Sequence, residues 1–138
     1  MSGKRAQGLI AGTFAIAFVV NCISIMIAES VQAISAPTRN AILGKLLAVY
    51  SLFTTALVAG IYAKHKSNRR VQAVPFCTAI VVSAIWNALL VWGCLRFALA
   101  AFAPGSGGLK DLLDYLETIS KGSAIVTGAL TYFFAKPE

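Results

Sequence analysis

Apolar residues fill four runs along the chain, and the polar residues collect between the runs instead of alternating with them. Gly8 to Ala28 is the first run. At 1.5 Å per residue it gives a helix about 31 Å long, enough to cross the hydrocarbon core of a bilayer. Glu29 to Asn40 is more polar and holds Pro37, which biases Ala36 away from helix and predicts a break. A second helix is expected over Ala41 to Ala63, with Lys45 one turn inside its start, near enough to the end for the ammonium to reach the interface.

The third run, Val71 to Ala103, is too long for a perpendicular span, at about 50 Å if helical throughout. Pro75 fits a first helical turn, so the pattern predicts a span over 74–96 with the helix continuing to 103. Trp92 and Arg96 have the chemistry of an interface, an amphipathic ring and a guanidinium on a long stem. Pro104 to Gly108 reads as a linker.

Beyond it, Leu109, Leu112, Leu113, Leu116 and Ile119 recur at helical spacing, with Lys110, Asp111, Asp114 and Glu117 on the other face. A short amphipathic helix over 109–120 is therefore expected, able either to fold over the bundle or to lie flat in an interface. The last run, Gly122 to Ala135, spans a bilayer only if it starts helically near Ile119, so a fourth span is placed over 119–135.

Composition agrees with the pattern. Hydrophobic residues make up 58% of the chain and charged residues 12%, with a mean hydropathy of +0.77. Soluble domains carry about twice that share of charge, so the expected fold class is an all-α integral membrane protein with four transmembrane helices. Such spans consume nearly all of the 138 residues and leave no room for a soluble catalytic domain.

Charge then sets an orientation. The first run follows Lys4 and Arg5, and the second and third are separated by Lys64, Lys66, Arg69 and Arg70 within 64–70. With four spans these cations and Lys136 share one side with Glu138. Arg39, Lys45, Arg96, Lys110 and Lys121 on the other side are nearly balanced by Glu29, Asp111, Asp114 and Glu117. The asymmetry predicts both termini and the basic loop inside, in a mitochondrial inner membrane favoured over a bacterial plasma membrane. Lys64, Lys66, Arg69 and Arg70 are also candidate contacts for anionic phospholipid headgroups, cardiolipin included. The net charge of +7 does not point to nucleic acid, because the cations gather at the ends of apolar runs.

Candidate chemistry is sparse. No carboxylate lies in the middle of a predicted span, which disfavours a proton relay or an ion-coupled transporter. His65 is the single histidine and stands in the basic loop, so a bis-histidine haem cannot form within one chain. Cys22, Cys77 and Cys94 fall in apolar runs without zinc-site spacing. No catalytic set, metal site or cofactor is expected.

Helix-contact features are plentiful by comparison. Gly8 and Gly12 form a G-x-x-x-G pair, and Ala56 with Gly60 and Ala124 with Gly128 repeat the small-residue spacing that lets helices approach in lipid. They serve packing within the bundle or against a neighbour. Asn21 and Asn87 lie deep in their runs and each needs a hydrogen-bond partner, as a packing contact or as part of a small-molecule site. The function these residues predict is a non-catalytic accessory or scaffold subunit of a larger membrane complex, such as the respiratory chain or ATP synthase. Its partners would be other integral membrane subunits and phospholipids. The alternative is a small homo-oligomeric transporter or channel component lined by the two asparagines.

Overall fold

The computed structural model describes residues 3–31, 34–63, 73–100 and 108–135, without the side chains at 3, 4, 52, 56–63, 134 and 135. No strand occurs among the described residues. Among the described residues five helices follow one another: α1 (Gly3–Ser30), α2 (Ala36–Ala63), α3 (Ala73–Ala100), α4 (Leu109–Lys121) and α5 (Ser123–Ala135). Of the described residues, two stretches are long and apolar enough to cross a membrane, α1 over Arg5–Ser30 and α3 over its whole length.

The turn after α1 is shorter than the sequence suggests. Ala36 to Asn40, expected in a break, form the first turn of α2 instead. A proline there costs little because the first four N–H groups of a helix have no internal partner. Ser35 starts the helix, its carbonyl accepting from Arg39 N at 2.9 Å and its Oγ lying 3.5 Å from Thr38 N. Across the turn, Arg39 Nη1 donates to both carboxylate oxygens of Glu29, at 2.8 and 2.7 Å, and ties the two helices at this end. The basic loop 64–70 and the linker residues 104–107 lie outside the described residues, as does any continuation of α3 to residue 103.

Pairs of contacting residues give the topology. Phe18 meets Tyr50 and Phe14 meets Phe53, so α1 and α2 are antiparallel. Tyr50 and Phe53 both reach Trp86, and Phe14 also meets it, so α3 packs against both α1 and α2. The nine residues between Ala63 and Ala73 are too few to return along a helix of 28 residues, so α3 runs antiparallel to α2 and in the same direction as α1. The rings of Phe14, Tyr50, Phe53 and Trp86 form the centre of the core. Centroid separations run from 4.4 Å for Phe53 and Trp86 to 6.4 Å for Phe14 and Tyr50.

The last two helices depart most from expectation. Tyr115 Oη donates to Leu89 O at 2.8 Å, Trp86 Nε1 donates to Ile119 O at 3.3 Å, and the rings of Phe133 and Phe76 lie 6.2 Å apart. Read in order, these contacts run up one chain and down the other. Thus α4 covers the C-terminal half of α3 and α5 the N-terminal half, together forming one bent antiparallel partner. The amphipathic segment forms as expected, but as the first half of a helix line from Leu109 to Ala135, not as a separate piece ahead of a span at 119. Its buried Leu112 and Leu116 supply the reason, since their face completes the core. Gly122, at φ −74° and ψ −6°, interrupts the line for one residue, with three-residue hydrogen bonds from Gly122 N to Ile119 O and from Ile125 N to Gly122 O.

Candidate functional site

The deepest polar feature links three helices through one hydroxyl. Asn21 on α1 is fully buried, Asn87 on α3 is 3% exposed, and Tyr50 on α2 is 5% exposed. Asn21 Nδ2 donates to Tyr50 Oη at 3.0 Å, and Tyr50 Oη donates to Asn87 Oδ1 at 3.0 Å. Asn87 Nδ2 then donates to Ser83 O at 2.8 Å.

That last bond fixes the direction of the whole chain. A flipped Asn87 amide would turn its oxygen toward the Ser83 carbonyl, acceptor against acceptor, so the amide nitrogen must point there. Tyr50 must then give its proton to Asn87 and accept from Asn21. Among the described residues, two buried atoms remain without a protein partner, Asn21 Oδ1 and Ser83 Oγ. The arrangement can position three helices in register.

A second feature runs along the seam between α3 and the α4–α5 line. Near the top, Trp92, Arg96, Asp111 and Tyr115 border a cavity of about 220 Å³. Lower down, an apolar cavity of about 320 Å³ is bordered by Val82, Ile85, Leu89, Ile119, Ile125 and Val126, beside the bend at Gly122. Between them Tyr115 lies on α3 at Gly93. A Cβ placed on Gly93 would fall 2.6 Å from Tyr115 Cδ1, so glycine is what admits the ring.

A third feature is a mismatch of outer surfaces. Lys110, Asp111, Asp114, Glu117 and Lys121 are exposed on α4, with Lys121 Nζ 3.6 Å from Glu117 Oε1. At the level of Lys121, Ile119 touches Trp86 and Trp86 touches Phe14, well inside α1 and α3. From that level toward α4's start, α1 exposes Ile16, Val19, Val20, Ile23, Met26 and Ile27, and α3 exposes Leu89, Trp92, Leu95 and Leu99. One side of the bundle is charged where the others are apolar.

The residues singled out in the sequence divide accordingly. Asn21 and Asn87, which the sequence leaves unconnected, meet on Tyr50 and border neither of the two cavities. Among the described residues, nothing outside their own helix turns lies within 4 Å of a Cβ built on Gly8, Gly12 or Gly128. Gly8, Ala124 and Gly128 are exposed and Gly12 is half-buried. For Ala56 and Gly60 the helix is described but not its contacts, and Lys64, Lys66, Arg69 and Arg70 lie outside the described residues. Tyr50, Gly93 and Tyr115 went unread in the sequence. A lone phenol in an apolar run was the available signal, since a buried hydroxyl requires a partner. Among the described residues no group of three or more His, Cys, Asp or Glu could hold a metal ion.

Comparison with protein-family models, with curated proteins and with solved structures finds no match for this chain.

Proposed function

We propose that the chain is an integral membrane subunit of four spans, the last made by α4 and α5 together, acting non-catalytically as an accessory or scaffold part of a larger membrane complex. The charged outer face of α4 carries this reading. In a bilayer of about 30 Å the belts of α1 and α3 suit lipid, but Asp114, Glu117 and Lys121 beside them do not. An ionised side chain facing lipid at mid-depth costs about 2.5–3.5 kcal/mol on insertion scales. A second integral membrane polypeptide seated on α4 removes that cost by offering hydrogen bonds and opposite charge. The exposed Gly8, Ala124 and Gly128 add small-residue faces on which neighbouring helices can settle.

The distribution of cations supports termini and basic loop inside, with Lys64, Lys66, Arg69 and Arg70 on anionic headgroups. The setting is a mitochondrial inner membrane or its bacterial counterpart. Extraction in mild detergent followed by a native gel tests the assembly. The expected result is migration in a complex far larger than 14.5 kDa, shifting to the free chain in a variant with Asp114→Ala and Glu117→Ala. Recovery of the unaltered chain as a free monomer would overturn the proposal.

A further inference from the structure

The two cavities on the seam lie in one line. On α3 the bordering positions are 82, 85, 86, 89, 92, 93, 96, 97 and 100, and on the facing helices 108, 111, 112, 115, 118, 119, 122, 125 and 126. Each set repeats every three or four residues, so it occupies a single face of its helix. The two cavities thus share one face of the seam, a groove interrupted where Tyr115 lies on Gly93.

Its chemistry changes along its length. From Arg96 to Val82 the groove drops about 21 Å at 1.5 Å per residue, and its lower part is apolar. One leaflet of acyl chains is about 15 Å deep, half the hydrocarbon core. The upper cavity sets a guanidinium and a carboxylate on opposite walls. Arg96 makes no ion pair among the described residues, so Asp111 does not neutralise it across the gap. Asp111 Oδ2 accepts from Gly108 N at 3.0 Å, which holds the carboxylate at the head of α4.

We infer that this groove binds one zwitterionic phospholipid with a primary-amine headgroup, of the phosphatidylethanolamine class. The phosphate lies on Arg96, the ammonium on Asp111 and an acyl chain in the apolar cavity below. Both ends of the headgroup are needed for the match. An anionic headgroup satisfies Arg96 but meets the carboxylate with like charge, and a choline headgroup has no N–H to donate to Asp111. Trp92, exposed beside Arg96, sits at the level where amphipathic rings favour the interface.

The inference rests on the proposed membrane insertion, and two measurements separate their failures. Full-length protein in its membrane is first washed with alkaline carbonate; release into the wash would overturn the insertion reading and this inference with it. Retained protein is then purified in mild detergent and titrated by native mass spectrometry with phosphatidylethanolamine, phosphatidylcholine and phosphatidylglycerol of identical acyl chains. The expected result is roughly tenfold tighter retention of phosphatidylethanolamine, the worth of one charge-assisted hydrogen bond. Arg96→Gln should abolish that preference. Asp111→Asn, whose side-chain oxygen can still accept from Gly108 N, should shift it toward phosphatidylglycerol. Equal retention of the three lipids, or a preference unchanged in both variants, would overturn the inference while leaving the membrane reading intact.

Discussion

The indole N–H of Trp86 donates to the carbonyl of Ile119 at 3.3 Å, and the same oxygen accepts from Gly122 N at 3.0 Å. In an unbroken helix that carbonyl would take the N–H of residue 123. Here the ladder opens for one residue, and a neighbouring helix supplies an extra donor. The bend between α4 and α5 is therefore held by α3, through a ring that also packs against Phe14, Tyr50 and Phe53.

Trp86→Phe should keep most of the ring packing and remove the donor. We expect a loss of about 1 kcal/mol, the usual net worth of one hydrogen bond. Amide exchange at Gly122 should quicken, because its acceptor, Ile119 O, loses the indole that anchors it. Exchange rates identical to those of the unaltered chain would show that the bend stands without the indole.

Tyr50→Phe removes the hydroxyl that serves both asparagines. Asn21 Nδ2 and Asn87 Oδ1 are then left buried without that partner, and each such group costs about 1–3 kcal/mol. Replacing the whole set, as Asn21→Leu with Tyr50→Phe and Asn87→Leu, should recover much of the loss, since none of the three side chains then leaves a polar group stranded. Denaturation in detergent reads both variants. A triple variant weaker than Tyr50→Phe would contradict this account.

Gly93→Ala should displace the Tyr115 ring and break its bond to Leu89 O, at about 1–3 kcal/mol for an overpacked contact. Tyr115→Ala in the same chain removes the clash, so the two changes should be far from additive in a double-mutant cycle. Simple additivity would mean that the ring does not rest on the glycine.

Arg39 and Glu29 remain about one-third exposed, at 32% and 28%. Two-oxygen geometry favours the pair, while solvent screening limits its worth to about 0.2–1 kcal/mol. Glu29→Gln should therefore lower stability slightly, and the difference should shrink as salt rises. A large, salt-independent loss would assign Glu29 a contact other than Arg39.

The helical character of the chain was legible because its apolar runs are long and their ends polar. What the runs hide is rotation and depth. Asn21 and Asn87 stand out as amides in apolar surroundings, yet their meeting on Tyr50 depends on the relative register of three helices, which no single run encodes. The segment 109–121 stayed open between two placements for a related reason. Its amphipathic pattern suits a helix folded over the bundle as well as one flat in an interface, and the buried Leu112 and Leu116 decide for the first, leaving the charges facing outward. Spacing of small residues was equally ambiguous, since it does not say whether Gly8, Gly12 or Gly128 turns toward the bundle or toward a neighbour.

The direction of the amide chain also bears on the order of synthesis. Once α1 and α2 have emerged, Asn21 and Tyr50 can already pair, in either direction; Asn87 arriving on α3 takes the phenol proton and fixes the order. The early hairpin thus carries a bond whose sense the third helix sets. In the proposed membrane setting, a nascent chain with α2 but not α3 outside the ribosome should be held by the insertion machinery longer than one with α3 outside as well, and Tyr50→Phe should narrow that difference in release, read by site-specific crosslinking.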